Sequence, residues 1–222
     1  MSNDGRLIFR VLLFWAFIAM MASAQLEAPT AISDLGYSSC SRDACLFVPD
    51  SEHPKVYHHA DLSYTVEVPP SDEGGRFVLR RANKVLLATG LRDLSASVLV
   101  VWSEKSDWFA VTWSDGGAIG NFHTRVFRIQ GSQVSETKAV NPASREFQSR
   151  YYCKQRGDNV QAYGWDKDSG ALVLVMSVYP TGDCGRDAGH MEAYFVRATD
   201  GTVLRHLPLA QLRAYMESHP VQ

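Results

Sequence analysis

Asp183, Asp187, His190 and Glu192 crowd one stretch beside Cys184, and Asp115 with His123 occupies an equivalent stretch earlier in the chain. An imidazole next to a carboxylate is the minimum equipment for general acid–base chemistry, because the carboxylate orients the ring and steadies the charge it gains. No nucleophile stands at a defined spacing from either group. The same residues therefore fit a binding rim better, since loops carried on rigid sheets are where recognition usually resides. Solvated loop charges are the third way to read the pattern. Trp113 borders the Gly116–Gly120 loop and joins Asp115, His123, Asp183, Asp187 and His190 as a candidate ligand-contacting residue; no residue is assigned as catalytic.

His53, His58, His59 and Asp61 form the densest group of metal-ligating types, and imidazole with carboxylate suits Zn, Cu or Ni. The segment is polar and turn-like, where histidines also stand simply in solvent. Asp166-Lys167-Asp168-Ser169-Gly170 opens like a calcium loop, yet no bidentate Glu follows at the required distance. It reads as a hairpin turn. The chain has no G-x-S-x-G elbow, no phosphate-binding G-x-x-x-x-G-K-[ST], no H-E-x-x-H and no G-x-G-x-x-G. No cofactor is implied.

The compartment follows from the other end of the chain. Arg6 and Arg10 precede twelve apolar residues, Val11 to Ala22, and Ala22-Ser23-Ala24 has the small-x-small form cut by signal peptidases. A membrane span needs about 20 apolar residues, so residues 1–24 read as a cleaved export signal and the mature chain as one without a span. Cys40, Cys45, Cys153 and Cys184 are an even set, which an oxidising compartment turns into disulfides. Cys40 with Cys45 and Cys153 with Cys184 is the favoured pairing, because each then closes within one region. Without the export segment the charges are nearly balanced and show no basic run, which argues against nucleic acid as a partner.

Residues 25–60 read as an extended leader with a small disulfide loop, and 61–222 as a single β domain. Short β-branched and aromatic runs separated by Gly, Asp, Asn and Ser predict strands near 64–68, 76–81, 85–89, 97–102, 108–113, 123–129, 134–140, 160–165, 171–178, 191–198 and 202–207. Asn141-Pro142 predicts a capped helix running to about Lys154, with Ala143, Phe147 and Tyr151 on one face. A second helix is predicted over Leu209 to Ser218, its stripe formed by Leu209, Leu212 and Met216. Ala171 to Val178 and Val98 to Trp102 are apolar on both sides, which predicts layers on both faces of their sheets.

Val101-Trp102-Ser103 through Trp108-Phe109-Ala110-Val111 is echoed 63 residues later by Gly164-Trp165-Asp166 through Ala171-Leu172-Val173-Leu174. In each copy a strand ends at Trp, a polar turn follows and an apolar strand begins. The pattern resembles the blades of WD40-like or TolB-like β-propellers in secreted bacterial proteins, with repeats near 97–140 and 160–207. The resemblance implies mainly β, antiparallel, four-stranded sheets. Eleven predicted strands are too few for a closed propeller, so the expectation is an incomplete propeller or sandwich-like packing of two or three sheets with two short helices. The function expected is that of a secreted or periplasmic binding or interaction module for an unidentified protein or small ligand of the cell envelope, without catalysis of its own. An envelope hydrolase using His123 or His190 with a nearby Asp on the repeat loops, and a purely structural envelope protein, are the alternatives.

Overall fold

The alternation of apolar and polar residues sorts the strands into layers. In the computed structural model, which describes residues 39–40, 43–47, 52–59, 64–70, 75–92, 94, 97–104, 107–114, 122–151, 153, 159–179 and 182–219, three antiparallel sheets hold more than half of the described residues. The first is a meander of β3 (Lys55–His58), β4 (Tyr64–Val68), β5 (Arg76–Arg81) and β6 (Lys84–Gly90). The middle sheet runs β1 (Ser39–Cys40), β2 (Ala44–Phe47), β7 (Ser97–Trp102), β8 (Trp108–Ser114), β9 (Phe122–Gln130) and β10 (Gln133–Thr137). The third is the meander β11 (Asn159–Trp165), β12 (Leu172–Ser177), β13 (Met191–Val196) and β14 (Val203–Pro208). Among the described residues no closed barrel forms, and the fold is mainly β, as expected.

The middle sheet is apolar on both faces because it is covered on both. Val98, Val100, Trp102, Phe109, Val111 and Phe127 pack toward Val66, Phe77 and Leu79 of the first sheet. The intervening residues Val101, Ala110 and Val126 pack toward Leu172, Leu174 and Met176 of the third. The opposite side of β12, Val173 and Val175, lies under helix α2 (Leu209–Ser218), with Phe195, Leu212 and Tyr215. First sheet, middle sheet, third sheet and helix thus stack in series, with the central strands β7, β8 and β12 covered on both faces. Burying each such side chain contributes about 1.5–3 kcal/mol.

Sheet packing alone does not fix how the third sheet meets the middle one. Hydrogen bonds between them do: the Ala162 N–H donates to Oγ1 of buried Thr112 at 3.0 Å, the Thr124 hydroxyl donates to the Val160 carbonyl at 2.8 Å, and the Phe122 N–H donates to Asn159 Oδ1 at 2.7 Å. These bonds run from the face of β8 and β9 to β11, and a bulge between Ala162 and Gly164 accommodates the approach.

The predicted leader is more structured than its composition suggested. β2 pairs with β7 and places Cys45 and Phe47 at zero exposure in the core. β3 likewise begins inside the segment read as extended. Ser and Pro dilute the apolar pattern there, but a four-residue strand needs only two inward side chains. Cys40 stands opposite Cys45 in the β1–β2 register, and Cys45 is disulfide-bonded. Cys153 and Cys184 form the second expected bridge.

Helix α1 (Val140–Arg150) starts one residue before the predicted cap. Ala139 occupies the cap position with helical backbone angles and no side-chain bond, and the Asn141 N–H donates to the Lys138 carbonyl. Pro142 still falls in the first turn, where its missing N–H costs nothing. The helix also stops early. Tyr151 is its C-cap, extended at φ -130° and ψ 117°, with its N–H on the Phe147 carbonyl. That early stop has chemical consequences.

Candidate functional site

β13 alternates His190-x-Glu192-x-Tyr194 at its start, so these three side chains share one face. The register sets His206 of β14 opposite Tyr194, and the end of α1 lies over the same face with Arg150 and Tyr151. Five side chains converge on the carboxylate of Glu192, which is 2% exposed. On Oε1, the Tyr151 hydroxyl donates at 2.8 Å and His190 Nε2 lies at 3.1 Å. On Oε2, the Tyr194 hydroxyl donates at 3.0 Å, His206 Nε2 lies at 2.7 Å, and Arg150 Nη1 stands at 3.5 Å.

A carboxylate has about four lone-pair positions and only accepts. Glu192 is therefore saturated, and both histidines must donate from Nε2. Burial by itself would push the Glu192 carboxyl up; the hydrogen bonds from Tyr151, His190, His206 and Tyr194 outweigh it and hold the group below the ordinary carboxylate range. Tyr151 and Tyr194 move the other way, raised by desolvation and by donating to a negative charge. Glu192 is thus a buried carboxylate held in its ionised form by its hydrogen-bonding neighbours.

Those neighbours reach the surface. The His190 side chain is 30% exposed, His206 24% and Arg150 39%. His190 meets Glu192 through Nε2, and among the described residues nothing hydrogen-bonds to its Nδ1. Its ring stacks on Tyr151 with centroids 3.9 Å apart. Arg150 caps His206, with Nη1 at 3.4 Å from Nδ1 and 3.2 Å from Nε2, and is itself ion-paired to Glu146.

Of the candidate ligand-contacting residues, only His190 belongs to this centre, together with Glu192 from the same stretch of sequence. Asp187 is partly exposed beside Arg186, and its carbonyl accepts the His190 N–H. Asp183 lies in the 3-10 segment Gly182–Asp187, its side chain outside the described residues, as is the whole of Asp115. His123 sits on a different sheet, where its ring contact is Trp113 at 5.4 Å. His123 and His190 thus belong to different sheets. Trp113 proves to be core, 7% exposed on the inward face with Phe109 and Val111, its indole N–H donating to the Arg92 carbonyl.

The expected metal cluster divides along β3. His58 points outward to Thr65, whereas His59 turns into the core, edge-on to Trp102 at 5.2 Å. His53 is exposed, and Asp61 lies outside the described residues. Among the described residues, no group of three or more His, Cys, Asp or Glu is arranged to hold a metal ion. Asp166-Gly170 is a hairpin turn: the Asp166 carboxylate accepts the Ser169 N–H and hydroxyl, and Gly170 adopts φ +67°.

Sequence reasoning missed Arg150, Tyr151, Tyr194 and His206. The His190-x-Glu192-x-Tyr194 alternation was available as a signal, but nothing local announces that His206 or α1 will meet it. Comparison with known proteins adds no match: no family model, curated protein or solved structure is significantly similar to the chain.

Proposed function

We propose that the protein is an exported binding module without catalysis of its own, and that its contact surface is the rim of His190, Tyr151, His206 and Arg150 held by Glu192. The observation that carries this is the saturation of Glu192. A carboxylate with every acceptor position filled is neither a free base nor a nucleophile, and the tyrosine hydroxyls beside it are committed to it. What remains available is a pre-oriented set of surface groups: an imidazole acceptor at His190 and the partly exposed His206 and Arg150. Rigid polar groups of fixed tautomer favour recognition, because little side-chain freedom is lost when a ligand docks. The Cys153–Cys184 disulfide, the disulfide-bonded Cys45 and the reading of residues 1–24 as an export signal support a site outside the cytosol. Among the described residues, no helix is long and apolar enough to cross a membrane.

The test is retention of envelope material by the oxidised protein, compared with a His190→Ala, His206→Ala double variant. A protein or small ligand retained by the wild type and lost from the variant is expected. Equal retention by both sinks the assignment of the rim.

One observation favours a second reading. His190 with Glu192 is a carboxylate-oriented imidazole, the minimum for a general base acting on water. Turnover of an ester, amide or glycoside panel that disappears in His190→Ala would move the protein to the hydrolases.

A further inference from the structure

Cys153–Cys184 joins the two segments that bring Tyr151 and His190 together. Tyr151 is two residues before Cys153, and His190 follows Cys184 across the 3-10 segment and one turn. The two sides of this bridge are anchored unequally. His190 is tied to the third sheet independently of the cross-link: its carbonyl accepts the Val178 N–H at 2.9 Å, and the Gly189 N–H donates to the Val178 carbonyl at 3.1 Å. Glu192, Tyr194 and His206 lie in paired strands. Tyr151 stands at the helix C-cap with an extended backbone, its N–H still on the Phe147 carbonyl; among the described residues its ties to the third sheet are its hydroxyl on Glu192, its ring on His190 and the neighbouring bridge. Cys184 is buried at 6% exposure, whereas Cys153 is partly exposed.

We propose that the Cys153–Cys184 disulfide gates the Glu192 centre: reduction releases Tyr151 from Glu192 and His190, while both histidines stay on the sheet. As a regulation of the rim, this rests on the binding role assigned above; the geometric change it describes does not. The reductant is a dithiol. One of its thiolates attacks Cys153 Sγ, the S–S bond breaks, and Cys184 leaves as a thiolate that takes a proton from solvent. The second thiol of the reductant then attacks the mixed disulfide, displacing Cys153, which is protonated in turn. The protein gains two electrons and two protons, and the dithiol ends as its own disulfide. Glu192 Oε1 keeps one of its two donors, and the stacked face of His190 opens to solvent.

The experiment uses the full oxidised chain, the same protein reduced by dithiothreitol, and Tyr151→Ala kept oxidised. The imidazole nitrogens of His190 and His206 are observed by long-range proton–nitrogen NMR. On reduction, the His190 ring signals are expected to move to their positions in Tyr151→Ala, those of His206 to shift less, and reoxidation to restore the originals. His190 signals unmoved by reduction would overturn the gate, because Tyr151 would then be held without the bridge. Loss of dispersion throughout the reduced spectrum would also overturn it, since the bridge would then be a staple for the whole fold. Because no ligand is added, the result stands apart from whether the rim binds anything.

Discussion

Glu192 shows how one buried charge organises several others. Removing it leaves two tyrosine hydroxyls, two imidazole N–H groups and part of a guanidinium facing an amide that can accept at only one atom. Glu192→Gln is expected to cost about 3 kcal/mol, read by urea denaturation at neutral pH. Acid should reduce the difference. The folded carboxyl holds its proton less tightly than the unfolded one, whose ordinary value is 4.5. Its contribution is complete above that value and is lost as pH falls through the lower folded value. The stability gap between wild type and Glu192→Gln should therefore narrow below about pH 4.5; a gap that stays constant down to pH 2 would contradict the ionised, hydrogen-bonded state.

At the level of elements, the ends of the helices matter more than their middles. The early stop of α1 turns Tyr151 toward Glu192, where a helix continued to Lys154 would carry its side chain along the helix face. The start of α1 is fixed by the β13–β14 turn: a Cβ on Gly201, which sits at φ +76°, would lie 2.5 Å from the Ala139 carbonyl oxygen and 2.7 Å from Pro142 Cδ. Gly201→Ala combines a left-handed backbone with overpacking and should cost about 2–4 kcal/mol. Its effect should appear as lost α1 helicity and a displaced Tyr151. Helix α2 is locked differently, by the Tyr215 hydroxyl donating to Asp166 at 3.2 Å and the Tyr163 hydroxyl to the His219 carbonyl at 2.7 Å. Burial pushes Tyr163 up to about 12. Tyr215→Phe should lose about 1 kcal/mol with the fold intact, measured by thermal denaturation; no loss would mean that the bond to Asp166 is replaced by solvent.

Across the whole molecule, stability resides in the serial stack. Trp102 lies at the seam of the first and middle sheets, against Tyr64, His59 and Phe109. Trp102→Ala should cost about 3–5 kcal/mol through the cavity it leaves, seen as a lower denaturation midpoint. The Cys153–Cys184 bridge, closing a loop of 31-residue separation, should be worth about 3–4 kcal/mol on the chain-entropy view. Comparison of oxidised and reduced unfolding curves checks that value. A thiol assay on native protein should find no free sulfhydryl.

The sheets were legible because covering both faces of a strand leaves apolar residues at consecutive positions, as in Ala171 to Val178, and such runs need no knowledge of their partners. The α2 helix was legible through its 3.6-residue stripe, although Tyr215 rather than Leu209 proved central. Cys153 with Cys184 followed from counting cysteines and from each pair then closing within one region. The site was legible only in His190 and its carboxylate neighbour. Arg150, Tyr151 and His206 come from separate elements, and their meeting depends on where α1 ends and on the register of β13 with β14. Both are settled by packing, which acts over distances that local sequence pattern does not encode. Sequence alone thus determined the layered β architecture, because burial leaves its mark residue by residue. The tertiary structure alone decided the Glu192 centre, because a buried charge is stable only where side chains remote in sequence arrive to satisfy it.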